Sequence, residues 1–363
     1  PQHVLVAALV QIGKEVIACG VIGCGVIGRR HLAQIADSGR ARLVAVADLS
    51  EELRDRATNE FGANQAYEDG EALIADPEVE AVVLALPAEP RYELARSALR
   101  AGKHVLLEKP AARSVAEVDE YLSLTHAGQI VAVASSRFRF LSSHAELQRA
   151  LDAGGIRPIR QIVHEGLRVN PPRPEVVPPS WRLSTVQNGG GIMSNWGCYD
   201  LDYLLSLFAP DDRVVEASAT WRGIPDAIRP WVAAGSDAET AVTALLRLAS
   251  GATIVLNRGE YLPLPAARNA TTILGDEAAV SCSIIAGEEP FAVTRYDEGG
   301  VTTSIIREEP DDPAEIHRGV LRDFVDAAVE GREPATDLAR ARHIQEITDT
   351  IYRSAREQRS IAL

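Results

Sequence analysis

The chain has 363 residues, 46% hydrophobic and 24% charged, with 37 Lys and Arg against 51 Asp and Glu. That is globular usage, long enough to bury large cores and sized for about two domains, and it excludes wholesale disorder. The formal charge of −14 argues against nucleic acid or an anionic membrane surface as the main partner.

In chain order, the apolar stretch Val4–Ile12 comes first. It lacks a basic segment before it and a clear cleavage site after it, so residues 1–15 read as an N-terminal extension. The chain opens at Pro1 and its only methionine is Met193, so its start is expected to be processed or trimmed. Strand-like runs then follow at Val16–Ile22, Leu43–Ala47, Ala81–Leu86, His104–Leu107 and Ile130–Ala134. They are nearly continuous in Val, Leu, Ile and Ala, as suits strands covered on both faces. Helical stretches lie between them at His31–Ala36, Glu51–Glu60, Ala72–Ala75, Tyr92–Leu99 and Val115–Thr125. This alternation predicts a parallel sheet with crossover helices over residues 1–136.

After Ser136 the pattern changes. A helix is expected near His144–Ala153, a strand at Ile159–Val169, and a long Pro-rich loop at Asn170–Pro179. Strands follow at Val214–Arg222, Thr240–Ala249, Ala252–Arg258, Ala270–Leu274, Ala278–Ile285, Phe291–Tyr296 and Thr302–Arg307. Short turns between them favour a mostly antiparallel sheet. Helices at Pro313–Glu330 and Leu338–Gln358 close the chain. The second domain is expected over 137–336, with the helix of 337–363 packing back on the first.

Gly23-Cys24-Gly25-Val26-Ile27-Gly28 is G-x-G-x-x-G between a strand and a helix. Gly23 allows the tight turn, Gly25 lets backbone approach a pyrophosphate, and Gly28 lets helix and strand pack. Asp48 stands twenty residues past Gly28, at the end of the next apolar strand. A carboxylate there accepts from ribose hydroxyls and repels a 2′-phosphate, which favours NAD over NADP. Arg54 nearby would serve a phosphate if its helix folds back. Cys24 reads as a small buried residue. The strand at His104–Leu107 runs directly into Glu108-Lys109-Pro110. Ligands of a doubly wound sheet bind beyond the carboxyl ends of strands, so Lys109 is placed at the cleft. Lys103 and His104 lie at the opposite end and read as structural.

Gly23-x-Gly25-x-x-Gly28, Asp48 and Ala101-Gly102-Lys103-His104-Val105…Glu108-Lys109-Pro110, followed by Arg139-Phe140, Trp181-Arg182 and Gly189-Gly190-Gly191, resemble the Gfo/Idh/MocA oxidoreductases. The resemblance runs from about Val16 to the C-terminus. It implies an N-terminal Rossmann fold, a doubly wound parallel sheet, then an α/β domain with a large, mostly antiparallel sheet. It implies hydride transfer between a nicotinamide cofactor and a hydroxyl or ketone of a sugar, inositol or glycoside, in a homo-dimer or homo-tetramer. Cofactor contacts are implied at Gly23, Gly25, Val26, Ile27, Gly28, Asp48, Leu86, Pro87, Glu108, Lys109 and Pro110, with Lys109 also catalytic.

The family's second motif commonly reads G-G-G-x-x-x-D-x-G-x-H-x-x-D. Here Asn195 replaces the Asp, Tyr199 replaces the His, and Asp202 keeps its place. Positions 195, 199 and 202 would share one α-helical face. An unperturbed tyrosine has a pKa of about 10, so Tyr199 needs positive charge beside it, from Lys109 or an oxidised nicotinamide. Asn195 can hydrogen-bond a sugar hydroxyl but cannot act as a base. Trp181 and Arg182 offer an apolar wall and a hydrogen-bonding fork to substrate. Arg137 and Arg139 read as salt-bridge formers at a domain interface, and His164 and Glu165 as further residues able to face the cleft.

The four cysteines, Cys19, Cys24, Cys198 and Cys282, form no CxxC and no Cys/His cluster. Neither disulfides nor a metal site is expected, and a reducing cytoplasm is the simpler setting. No apolar run reaches the ~20 residues of a membrane helix. Three other readings stay open: an NADP-dependent dihydrodiol or aldose dehydrogenase, redox-assisted glycoside cleavage, and a nucleotide-sensing regulator.

Overall fold

The apolar runs of the first half pair as parallel strands in the computed structural model, which describes residues 15–170, 172–287 and 289–363. Residues 1–14, most of the expected extension, lie outside the described residues. The strands are β1 (Ile17–Ile22), β2 (Ala41–Ala47), β3 (Gln65–Tyr67), β4 (Ala81–Leu84), β5 (His104–Leu107) and β6 (Val131–Val133). They form one sheet in the order β3-β2-β1-β4-β5-β6, parallel throughout. Every residue of β1, β4, β5 and β6 is buried, which is why their sequence shows no polar alternation. β3 was not anticipated: it is a three-residue edge strand, mostly exposed, with no apolar run to announce it.

Between the strands run α1 (Val26–Asp37), α2 (Glu51–Phe61), α3 (Gly70–Ala75), α4 (Ala88–Arg100) and α5 (Val115–Leu124). Ser50 caps α2 by accepting the Leu53 N–H, and Gly62 ends it in the left-handed conformation. Asp69 caps α3 by accepting from the Glu71 N–H. β1 and β4 are neighbours although β2 and β3 follow β1 in the chain, so the strand order reverses there. The loops after β1 and β4 therefore open the crevice where such sheets take ligands.

The chain divides into two compact units. One holds the residues up to Ser136 together with His317–His343, the other Arg137–Ile316 with Ile344–Leu363. The second unit carries a nine-stranded sheet built from β7 (Gln161–Val169), β8 (Val214–Arg222), β9 (Ala241–Leu248), β10 (Thr253–Leu262), β11 (Arg268–Leu274), β12 (Ala278–Cys282), β13 (Phe291–Asp297), β14 (Gly300–Arg307) and β15 (Ile361–Ala362). Its order is β14-β13-β12-β11-β7-β10-β9-β8-β15, antiparallel except for β7 beside β10. Burial alternates along β7 and β9, so one face of the sheet meets the core. There Ile162, Leu246, Ile254 and Val280 pack with Leu147 of α6 (Ser142–Ala153) and Leu204 of α7 (Cys198–Leu205).

β10 runs on to Leu262, past the expected end at Arg258, because Arg258 and Glu260 are charged yet buried on the core side. β12 stops at Cys282, short of Ile285, where the Ser283 hydroxyl turns back to the Ile285 carbonyl. The described part of the Pro-rich loop, 172–179, has neither helix nor strand. The chain ends with α8 (Glu315–Glu330) and α9 (Leu338–Glu357), and the boundary between the units falls within α9. Among the described residues no helix is long and apolar enough to cross a membrane.

Candidate active site

In the first unit, β1 ends at Ile22 and the chain turns at Gly23, whose φ of +93° favours glycine. Its N–H donates to the Ala47 carbonyl at 2.8 Å. A Cβ on Gly28 would run into the Gly23 carbonyl oxygen, whereas a Cβ on Gly25 would meet nothing within 4 Å. No side chain caps α1 at Gly25, and no acidic residue stands in its first turn. Val26 beside it is 77% exposed and Ile27 half-buried. An uncapped helix N-terminus behind an open glycine cradle suits a dinucleotide pyrophosphate, so these residues fit a bound NAD.

Asp48 follows β2. One carboxylate oxygen accepts the Cys24 N–H (2.7 Å) and the other the Ser50 N–H (2.9 Å). The acid is thereby clamped to the glycine loop. Arg54 spends one arm on the Asp48 carbonyl, at 2.6 Å. Burial, with Asp48 nearby, pushes the Cys24 thiol up to about 12, so it is inert at neutral pH.

The turn after β5 is fixed from two sides. The Lys109–Pro110 peptide is cis. Glu108 takes His31 of α1 on one oxygen (Nε2, 2.9 Å) and the Lys109 N–H on the other (3.1 Å). Burial opposes its charge, but the His31 bond and the charges of His31 and Lys109 hold Glu108 at about 2. Arg91 of α4 is fully buried and donates to the Leu86, Pro110 and Ala111 carbonyls. It ties the loop carrying Leu86 and Pro87 to the loop carrying Lys109. Sequence reasoning missed both His31 and Arg91. Their signal was position: Arg91 shares the apolar face of Ala95, Ala98 and Leu99, and His31 that of Leu32 and Ile35. Lys103 donates to the Asp76 and Val79 carbonyls, and His104 accepts the Ile130 N–H, at the far end of β5.

In the second unit the glycine block leads into a π-helical turn, Met193–Gly197, and only then into α7. This corrects the expectation of continuous α-helix from Asn195 to Asp202. Tyr199 and Asp202 share a face of α7, and Asn195 lies in the wider turn before it. Glycines at 189–191 and 197 leave the segment weakly helical, and the N–H groups at its start are held from other segments. Glu239 accepts the Gly191 and Met193 N–H groups, both at 2.8 Å, and its carbonyl accepts that of Ile192. The Tyr352 hydroxyl accepts the Ser194 N–H and donates to Glu239 (2.9 Å). Burial raises the Glu239 carboxyl above its ordinary range against these bonds.

Asn195, Tyr199 and Asp202 are all buried. The Tyr199 ring lies 5.5 Å from Phe138 and 5.9 Å from Trp196, with the Arg137 guanidinium 3.7 Å above its centroid. Arg137 thus serves Tyr199 within its own unit. Arg139 reaches Asp202 at 3.4 Å. Asp200, not anticipated, forms a two-pronged buried pair with Arg258. His164 sits behind it, Nε2 3.7 Å from Asp200 and Nδ1 2.8 Å from the Thr271 hydroxyl. Burial lowers His164 to about 4, so it is neutral. Glu165 pairs with Arg268 at 3.8 Å.

A cavity of about 580 Å³ opens beside this segment, with Phe138, Arg168, Arg182, Trp196, Asp200, Trp231, Arg258, Glu260 and Tyr261 in its wall. Arg182 lies in the cavity wall, while Trp181 is half-buried and outside it. Among the described residues no His, Cys, Asp and Glu side chains group as a metal site requires.

Residues 17–135 match the family model described as oxidoreductase family, NAD-binding Rossmann fold, and residues 144–281 match the GFO/IDH/MocA C-terminal domain. The chain is 29% identical over 239 residues to myo-inositol 2-dehydrogenase of Thermotoga maritima, covering 66% of this chain and 67% of that protein. It is 30% identical over 178 residues to 1,5-anhydro-D-fructose reductase of Ensifer adhaerens, covering 49% and 51%. Against several such relatives the match spans about half of their length. A solved structure of levoglucosan dehydrogenase with NADH and levoglucosan superposes with a TM-score of 0.83 at 21% identity, covering 95% of this chain and 99% of that one, a likeness of fold. With both of its domain models matched in order along most of the sequence, the chain belongs to the Gfo/Idh/MocA oxidoreductases, a family with an NAD-binding Rossmann domain.

Proposed function

We propose that this protein is an NAD-dependent dehydrogenase or reductase acting on a hydroxyl or ketone carbon of a sugar, cyclitol or glycoside. The observation that carries the reading is the carboxyl edge of the first sheet. It bears the open glycine cradle after β1, Asp48 after β2 and the braced Lys109 turn after β5. The relatives' names point to the same substrate classes.

When bound, the nicotinamide supplies the acceptor or donor of hydride at its C4. The residues of the chain supply the rest. The Lys109 ammonium steadies negative charge on the reacting oxygen. Tyr199 exchanges the hydroxyl proton, and the Arg137 guanidinium over its ring supplies positive charge that the phenolate needs. Asn195 holds a substrate hydroxyl, and Arg139 fixes Asp202 as a support on the same helix. Asp48 places its carboxylate for ribose hydroxyls and against a 2′-phosphate, which favours NAD.

The test is absorbance of the reduced nicotinamide, with NAD and NADP in parallel, over inositols, hexoses, hexosides and sugar acids. Turnover with NAD that vanishes in Lys109→Ala and Tyr199→Phe supports the reading. Silence over the panel with NADH still bound rejects it. The four cysteines are free and buried, which supports a reducing, cytoplasmic setting. Trp221, Leu245, Val301 and Ile305 on the second sheet are exposed, which supports a homo-dimer or homo-tetramer, read by light scattering.

A further inference from the structure

We propose that the substrate carries a carboxylate, gripped by Arg168 and Arg182 in the cavity of the second unit. The inference rests on the dehydrogenase reading only for taking this cavity as the substrate's place. Within the cavity wall, Arg258 is spent on Asp200, and Arg268 faces Glu165. Two guanidinium groups remain, and both lean on one acid. Arg168 Nη1 stands 3.8 Å from Glu260, and Arg182 Nη2 stands 3.5 Å from its other oxygen. Both separations exceed a normal hydrogen bond. Neither guanidinium donates a hydrogen bond to a described residue, although each has five N–H donors.

The geometry is preset for a ligand. The Arg168 guanidinium is stacked on Trp196, 3.8 Å from the ring centroid, which fixes its plane and leaves its edge available. Glu260 is buried and lies between the two arginines. Two positive charges against one negative leave one in surplus, in a chain whose formal charge is −14.

A carboxylate satisfies that surplus with its single charge and its planar, two-oxygen edge. A phosphate monoester carries about −1.5 to −2 and would set extra negative charge beside Glu260. Trp196 and Trp231 supply flat apolar wall for the sugar ring. The substrate class is therefore a sugar acid, a uronate or an aldonate.

Calorimetric titration of the NADH-loaded full chain tests this, because a hydroxyl cannot be oxidised while the cofactor is reduced. The probes are D-glucuronate against D-glucose, D-galacturonate against D-galactose, and glucose 6-phosphate. Each uronate is expected to bind about tenfold or more tighter than its hexose, with the margin shrinking as salt rises. Arg168→Gln and Arg182→Gln are expected to erase that margin. Glu260→Gln is expected to widen it about tenfold, and it decides the matter if the arginine variants do not fold. Equal binding of uronate and hexose, tighter binding of the phosphate, a margin that survives both arginine variants, or a Glu260→Gln margin that does not widen would each overturn the proposal. Turnover of NAD with neutral sugars alone and no uronate margin rejects the carboxylate but keeps the dehydrogenase. Tight uronate binding with no NADH formed from NAD rejects the dehydrogenase and keeps the carboxylate site.

Discussion

The glycine loop of the first unit and the glycine block of the second are both places where backbone passes close to other groups, yet they are held differently. The loop at Gly23–Gly28 is shaped by what its own backbone excludes: a Cβ at Gly28 has no room against Gly23. The block at Gly189–Gly191 is shaped by charge brought from afar. Glu239 is 48 residues from Gly191, and Tyr352 is 113 residues from Glu239. A turn made of local sterics is rigid and generic, whereas one held by buried long-range pairs can be re-specified by changing one distant residue.

The largest expected effect lies at the turn after β5. Lys109→Ala is expected to lower turnover by about a thousandfold or more while NADH fluorescence still reports binding. Turnover within tenfold of the parent would remove Lys109 from the catalytic residues. Next comes the charge lattice of the second unit. Asp200→Asn leaves the Arg258 guanidinium buried without its counter-charge, at a cost of about 3–5 kcal/mol. Thermal unfolding should then fall by about 10 °C. The double variant Asp200→Leu with Arg258→Met should lose less than Asp200→Asn alone, because no uncompensated charge remains. If single and double variants melt together, Asp200→Asn leaves no uncompensated charge on Arg258.

The first sheet was legible because its causes are local. Apolar runs name the buried parallel strands, and three glycines at fixed spacing name the turn. The antiparallel sheet was legible in outline for the same reason. What the sequence did not disclose was long-range pairing: Arg137 on Tyr199, Arg258 on Asp200, Glu239 on the start of the π turn. None of these partners leaves a mark in its neighbour's spacing. Glu239, which holds the N–H groups at the start of the π turn, sits on another segment. The glycine pair sharpens the point. Gly28→Ala should lower both the melting temperature, by several degrees, and NADH affinity, by about tenfold or more, since its Cβ meets backbone. Gly25→Ala should weaken NADH by a similar factor at an unchanged melting temperature, because its Cβ enters only the open cradle. Equal melting losses in the two would mean that the loop is not the steric device its geometry indicates.

The smallest expected effect is the most specific to the second unit. His164 is fully buried against Asp200 and Arg258, and burial, with Arg258 adding to it, lowers its pKa to about 4. In the unfolded chain a histidine titrates near 6.5. Between those values the unfolded state binds the proton and the folded state does not, so stability rises with pH through this window. The contribution is complete above pH ~6.5 and is lost as pH falls toward ~4. At pH 6 the loss is about 0.8 kcal/mol from this one group, or about 2–3 °C in melting temperature. His164→Asn can keep a hydrogen bond to Thr271 but has nothing to protonate. Melting at pH 7.5 and pH 6 should therefore drop less in His164→Asn than in the parent. The other histidines titrate alike in both proteins, so the difference isolates His164. An identical drop would mean that His164 takes up its proton in the folded state. The Asp200 carboxylate, 3.7 Å away, would then be shared between His164 and Arg258, and the charge lattice under α7 would have one more cation than its geometry indicates.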